Sequence, residues 1–363
     1  MIIAAWIIFS FAILRLLVMI SNYMWPQKLT FHNSDKTVTI GVLIPARNEE
    51  KNIGNLLEDL SKQTFVPQVI RVYNDNSTDD TERIVLDWKK KLPQLELING
   101  KELPKGWLGK HHACSRMAEE IDTDYILFLD ADVRLQQTLI TRALGESQNY
   151  KLQLLSIFPT QTMVTFGESV VVPLMNWILT SLLPMELIKT SSNPRFAAAN
   201  GQFMLFSNEC YKKNAFHSEF RMDPIEDIHI MKMMKDKKMR VRTLLSQGEI
   251  NCRMYASGKE AVNGFSKNVF AFFGDSVLIT LLFMLVTTLG WVLVFYALPF
   301  WLGLVYVAVI INIRSLAASL SRQPRNFFIV YPIQQLAFTW VVLLAVLGKI
   351  TRKVEWKGRN IYE

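Results

Sequence analysis

The sequence is poor in cysteine: three residues in 363, Cys114, Cys210 and Cys252. They are too few and too scattered for a disulfide scaffold, and no CxxC pair is present to begin a structural zinc site. They read as reduced thiols facing the cytosol. Charge is also scarce, at 20% of residues against 50% apolar, which excludes an intrinsically disordered chain. There is no internal repeat and no low-complexity stretch. The 40 basic and 32 acidic residues leave a net charge of +8. The basic residues are dispersed and form no nucleic-acid-binding motif, so the excess reads as attraction to anionic lipid.

What the chain has is long apolar runs at its two ends, the source of a mean hydropathy of +0.17. Residues 1–24 carry one charge, Arg15, inside the run rather than before it. Tyr23-Met24-Trp25-Pro26 follows as an interfacial anchor, so the run reads as an uncleaved membrane helix and Arg15 as a bundle contact or a functional charge. Residues 276–313 hold no charge. At ~1.5 Å per residue they reach about 57 Å, too long for one crossing, and Pro299 near the middle predicts a helical hairpin. A further uncharged run, 326–348, is interrupted by Pro332. Arg314, Arg322 and Arg325 place the loop before it inside, yet the 349–363 tail is basic too (Lys349, Arg352, Lys353, Lys357, Arg359). Both cannot be inside if the last run crosses, so one run reads as re-entrant or interfacial.

Between the ends, strands alternate with helices. Val38–Ile44, Val69–Tyr73, Leu95–Ile98, Tyr125–Leu129, Leu152–Phe158 and Val241–Leu245 read as strands. Asn48 is placed as the cap of a helix whose apolar face is Ile53, Leu56, Leu57 and Leu60, and Ser77–Asp80 opens another. The alternation predicts an α/β fold, a mostly parallel sheet flanked by helices. Residues 25–36 read as a polar linker, 37–273 as the α/β domain and 276–348 as membrane helices. The apolar stretch 163–187 reads as core or, preferably, as an interfacial segment through which a lipid enters.

Ligands of such sheets bind at the carboxyl ends of strands. Three of those ends are polar: Pro45-Ala46-Arg47-Asn48-Glu49-Glu50, Asn74-Asp75-Asn76-Ser77-Thr78-Asp79 and Asp130-Ala131-Asp132. In an extended segment residues i and i+2 face the same way, so Asp130 and Asp132 can converge on one hard cation. A lone DxD is common at strand ends; three polar ends in order are not.

PARNEE, NDNSTDD, LGK and DAD, in this order and spacing, resemble a family 2 glycosyltransferase with a GT-A nucleotide-diphospho-sugar transferase fold. Asn200-Gly201-Gln202-Phe203, Glu226-Asp227, Arg253-Met254-Tyr255 and Gly264–Asn268 fall where that family has corresponding motifs. The tail Val354–Arg359 is similar to those of membrane-bound members that glycosylate carotenoids and other lipids, the bacterial diaponeurosporenoate type among them. The resemblance covers about residues 38–273 and the tail. It implies that Pro45, Arg47, Asn48 and Glu49 frame the nucleotide. Asp75 would bond a uracil ring, and Asp130 and Asp132 would hold a divalent metal (Mg2+ or Mn2+) and the diphosphate. Asp227, supported by Glu226, would be the general base. Asn74-Asp75-Asn76 departs from the family's Asp-Asp-Gly, but Asn tolerates the left-handed backbone of the glycine position. The Gln-x-x-Arg-Trp motif of processive synthases is absent, so the resemblance implies transfer of one sugar. Lys110, in a Gly109-Lys110 segment read as flexible, would help neutralise phosphates.

The partners so implied are a nucleotide-sugar donor, a lipid-soluble acceptor and a membrane, with multiple crossings and the catalytic domain on the cytoplasmic side. A carboxylic-acid acceptor is already ionised near neutral pH, so an intact Glu226-Asp227 pair tilts the reading toward a hydroxyl. A polyprenyl-phosphate acceptor, or a non-catalytic membrane partner with a degenerate domain, are the alternatives. Without the resemblance, Glu226-Asp227 is a solvated helix start, and His111, His112 and His229 carry no metal-ligand spacing.

Overall fold

The structure is a computed structural model and describes residues 1–32, 34, 35, 37–323 and 330–351, with the backbone of 355–356 and 359–360. The chain forms two compact units. One comprises Gln27–Thr160 and Leu187–Arg253, the other Met1–Pro26, Gln161–Glu186 and Met254–Glu363. This differs from a continuous 37–273 domain: the segments 161–186 and 254–273 are apolar or helical stretches that cluster with the long apolar helices.

The strands are β1 Ile40–Ala46, β2 Val69–Asn74, β3 Leu95–Asn99, β4 Tyr125–Leu129, β5 Val133–Leu135, β6 Leu154–Phe158, β7 Thr160–Gln161, β8 Phe203–Ser207, β9 Val241–Leu245 and β10 Ile250–Cys252. Seven build the first unit's main sheet, in the order β3-β2-β1-β4-β8-β6-β9. Its pairs are parallel except those of β8, which runs antiparallel to both β4 and β6. β1 and β4 are central and almost wholly buried, as their unbroken apolar runs require. β8 is a strand the sequence pattern did not single out. Its direction matters, because an antiparallel strand starts at the edge where its parallel neighbours end. Gln202, just before β8, accordingly accepts a hydrogen bond from Asp130 N, just after β4 (3.3 Å).

Two local expectations change. Asn48 does not cap a helix; the helix begins later, at Ile53–Ser61. Asn48 instead adopts φ +54° and joins two loops, its Oδ1 accepting from Thr78 N at 2.8 Å and its N donating to Ser77 Oγ at 3.0 Å. Bonds across the loops satisfy backbone groups that a helix start would otherwise leave open. The 25–36 linker is also no free tether. Gln27 and Leu29 are buried, and Thr30 Oγ1 donates to Glu146 Oε2 at 2.7 Å. The backbone at His32 lies so close to Gly145 that a Cβ there would sit 2.4 Å from the His32 carbonyl oxygen.

The second unit holds four helices long and apolar enough to cross a membrane: Ile2–Met24, Val277–Ala297, Phe300–Leu320 and Tyr331–Thr351. The 276–313 run breaks at Leu298-Pro299, as a hairpin requires. Pro332 does not interrupt the last helix but falls in its first turn, where its missing N–H costs nothing. Arg314 is not a loop residue. It lies within Phe300–Leu320, and it is buried because its guanidinium stacks on Trp177, 3.6 Å from the ring centroid. Residues Arg325, Arg352, Lys353 and Lys357 and the side chain of Arg359 lie outside the described residues. The 163–187 stretch forms helices Phe166–Val171 and Pro173–Leu182, and Leu174, Trp177 and Ile178 of the second are buried within this unit.

Candidate active site

The carboxyl edge of the sheet, between β1 and β4, is where the strand order turns outward in both directions, the usual place for a ligand crevice in an open α/β sheet. The loops there are stitched together. Arg47 Nη1 donates to the Asp75 carbonyl at 2.9 Å and lies 3.5 Å from its carboxylate. Glu49 N donates to Thr81 Oγ1 at 2.8 Å, and Glu49 Oε2 accepts from Asn52 Nδ2 at 2.8 Å. Asp75 is buried, and Asn76 next to it has φ +51°, the left-handed turn that a glycine or asparagine accepts. Pro45, next to last in β1, pairs in register with Tyr73 of β2.

Asp130 and Asp132 follow β4. Asp132 Oδ1 faces Gln202 Nε2 at 3.4 Å, and Gln202 Nε2 in turn lies 2.8 Å from Cys252 Sγ. Burial, then the neighbouring carboxylates of Asp130 and Glu49, push the Asp132 carboxyl up to about 6. Among the described residues Asp132 has no ion-pair partner, whereas Asp130 pairs with Lys110. Among the described residues no three His, Cys, Asp or Glu side chains form a protein-only metal site. Two neighbouring carboxylates that repel one another nevertheless fit a hard divalent cation, which Asp130 and Asp132 would hold.

Lys110 is not on a flexible segment. It lies in the first turn of the helix Gly109–Ala118, and its Nζ pairs with Asp130 Oδ1 at 2.7 Å. The same Nζ is 3.9 Å from Glu226 Oε1 and 3.4 Å from the Gly201 carbonyl. Burial works against its charge, but Asp130 and Glu226 outweigh it and hold the ammonium well above its ordinary value.

Glu226 and Asp227 begin the helix Glu226–Asp236, but they are not a solvated helix start. Glu226 is buried, with His111 Nε2 3.1 Å from its Oε2. The other ring nitrogen of His111 faces the Arg221 carbonyl at 3.3 Å. Burial disfavours the Glu226 charge, yet His111 and Lys110 more than offset this and hold the carboxyl down at about 2. Asp227 accepts from Gly201 N at 2.9 Å and from its neighbour Ile228 N at 2.8 Å. Burial and the Glu226 charge push it up to about 7. Two adjacent carboxylates thus have opposite environments, the arrangement that separates acid–base roles.

The sheet edge therefore brings together Lys110, Asp130, Glu226 and Asp227 around Gly201, with Asp132 on the same edge through Gln202. Sequence reasoning did not name His111, Gly201 or Gln202 as site residues. His111 adjoins Lys110 in the chain, and the signal for the other two was the Asn200–Phe203 motif. A Cβ at Gly201 would lie 3.1 Å from Lys110 Nζ and 3.5 Å from Glu226 Oε1, so the glycine leaves room where these charges meet.

Comparison with known proteins agrees with this picture. Residues 41–209 match the family Glycosyl transferase family 2. The 4,4'-diaponeurosporenoate glycosyltransferase of Staphylococcus haemolyticus (strain JCSC1435) is 27% identical over 270 residues, 70% of this chain and 68% of that protein. The enzyme of the same name from Staphylococcus aureus (strain USA300) is 29% identical over 250 residues, 66% of this chain and 62% of that protein. Among solved structures, a mannosyltransferase from Pyrobaculum calidifontis in complex with GDP-Man and Mn2+ superposes with a TM-score of 0.57 at 15% identity, covering 94% of this chain and 99% of that one; this likeness is one of fold. Residues 41–209 therefore carry a glycosyltransferase family 2 domain on a GT-A fold, in a chain that also holds four helices apolar enough to enter a membrane.

Proposed function

We propose that the protein transfers a single sugar, with inversion, from a nucleoside-diphosphate donor to a lipid-soluble acceptor at the cytoplasmic face of the cell membrane. The observation that carries the reading is the acidic pair at one sheet edge: Glu226 lies beside His111 and Lys110, while Asp227 accepts from the Gly201 and Ile228 amides and is pushed up to about 7 by burial and the Glu226 charge. A base whose pKa lies near the working pH balances availability against proton affinity.

The loops carrying Pro45, Arg47, Asn48 and Glu49 frame the nucleotide, and Asp75 meets its base. Asp130 and Asp132 would hold a divalent ion, Mg2+ or Mn2+, which when bound would supply electrostatic stabilisation of the leaving group. Lys110, within reach of Asp130 and Glu226, brings a fixed positive charge to the edge where the diphosphate departs. Asp227 takes the proton from the acceptor oxygen as it attacks the anomeric carbon. One displacement by one base, with no intermediate on the protein, inverts that carbon.

A hydroxyl acceptor follows from the need for a base. The second reading is a carboxylate acceptor, favoured by the two relatives, whose name is that of a carotenoid acid's glycosyltransferase. There Asp227 would orient the acceptor rather than deprotonate it, and turnover would lose its rise through pH 7.

The test is release of nucleoside diphosphate by the detergent-purified protein from UDP- and GDP-sugars, with Mn2+ or Mg2+ and with or without a bacterial lipid extract. Lipid-dependent release that disappears in Asp132→Ala and falls ~100-fold or more in Asp227→Asn supports the reading. Equal behaviour of wild type and both variants with every donor overturns it.

A further inference from the structure

The second unit contains two arginines that its apolar helices cannot neutralise. Arg15 is 2% exposed and Arg314 7% exposed. Both guanidinium groups lie over the same indole, that of Trp177: Arg15 at 4.7 Å and Arg314 at 3.6 Å from the ring centroid. Phe283 lies against Arg15 and Tyr331 against Arg314, at 5.0 and 4.8 Å. Among the described residues neither arginine pairs with a carboxylate. Arg15 Nε and Nη2 share one acceptor, Ser181 Oγ, at 3.3 and 2.7 Å. Arg314 reaches the amide oxygens of Gln334 and Gln335 at 3.2 and 3.1 Å. Its Nε is buried without any acceptor.

A cation buried in apolar surroundings is costly unless an anion or a full set of acceptors meets it. Two such cations on one aromatic ring repel one another as well. Cation–π contact offsets part of that cost, but it supplies no acceptor for the Arg314 Nε. Within helices of membrane-spanning length, an ionisable residue that faces the bundle interior is by default a candidate functional group. The surplus here is of N–H donors and positive charge, so the missing group is an acceptor and an anion. The aromatic and aliphatic walls require that anion to arrive on an apolar molecule.

We propose that Arg15, Trp177 and Arg314 form a binding site for an anionic amphiphile, whose carboxylate or phosphate head meets the two guanidinium groups while its chain lies along the apolar helices. The site is independent of the sugar-transfer reading, since it uses none of the residues at the sheet edge.

The experiment compares three probes on the full chain purified in a non-ionic detergent: oleate, its methyl ester and dodecyl phosphate. Binding is read as a saturable rise in unfolding temperature and as mass adducts in native mass spectrometry. The site predicts saturable binding of oleate, dodecyl phosphate or both, at least tenfold weaker binding of the ester, and loss of the adduct in Arg15→Gln and Arg314→Gln. Partial retention is expected in Arg314→Lys. The stronger of the two anions identifies the headgroup. Ester and acid binding alike, no saturable binding of either anion, or a folded Arg314→Gln that binds like wild type would each overturn the proposal. If the glutamine variants do not fold, the acid-against-ester comparison on the wild-type protein decides it.

Discussion

His111 shows how much of the site depends on a single side chain. It is the foremost of the groups that hold the Glu226 carboxyl down against burial, and it touches neither Asp130 nor Asp132 in any described hydrogen bond or ion pair. Removing it leaves a buried acidic pair with less positive charge beside it, so the second ionisation of the pair becomes harder. His111→Gln should therefore move the acid limb of the pH–rate profile to higher pH. A merely structural role would lower the rate without moving the limb. The sign follows from the proposed role of Asp227 as base: in that role it works only when ionised, so activity rises with pH through its pKa and any loss of stabilising charge shifts that rise upward. Some of this was legible in the residues. Asp130 and Asp132 stood out as paired acids at a strand end, Glu226 and Asp227 were singled out only by the family resemblance, and Asn76 was recognisable as a residue able to take φ above zero. His111 was not, because its partner is more than a hundred positions away in the chain and only the fold sets it 3.1 Å from Glu226.

Elements were read from periodicity, and the reading failed where tertiary contact replaced a local rule. Tyr125–Leu129 was correctly bounded because its run is apolar throughout; Val241–Leu245 was also correctly bounded, although Arg242 and Thr243 interrupt its apolar residues. β8 was missed because Phe203–Ser207 is short and lies between polar segments, where a five-residue run has no period to distinguish it. Asn48 has the composition of a helix cap, but bonding to the Ser77–Thr78 loop displaced the helix start to Ile53. Gly145 gives a prediction at this scale. It lies inside the helix Leu139–Asn149, where alanine usually stabilises by about 1 kcal/mol. Here the added Cβ would meet the backbone oxygen of His32 at 2.4 Å, and backbone cannot swing aside. Gly145→Ala should thus destabilise by about 1–3 kcal/mol, the usual cost of overpacking. Denaturant unfolding of the two proteins checks the sign, and a stabilised variant would show that residues 27–32 do not dock on that helix.

For the whole molecule, the four apolar helices have far more exposed apolar surface than water tolerates. Leu278, Trp291, Tyr296, Phe300, Trp301, Leu336 and Trp340 are each more than half exposed, and patches of this size on a soluble protein are rare. The long uncharged runs at the two ends of the chain are enough to predict this surface. They do not reveal the polarity inside the bundle, since Arg314 reads equally well as a loop residue until Trp177 is seen beneath it. The protein should stay with the membrane pellet after alkaline carbonate and high-salt washes and be released by detergent. Release by salt alone would mean that basic charge, not helix insertion, holds it there.

The two units have separate tasks in this account, sugar transfer at the sheet edge and residence in the bilayer, and the central claim concerns the first. It is tested most directly by following a radiolabelled sugar from its nucleotide donor into an organic-extractable lipid in single-turnover experiments between pH 5.5 and 8.5. Label should enter the lipid phase at a rate that rises through about pH 7, the position to which burial and Glu226 push Asp227. Asp227→Asn should bind donor normally and transfer ~100-fold more slowly or worse. A transfer rate indifferent to pH and to Asp227→Asn would contradict the assignment of this edge as the place where the acceptor loses its proton.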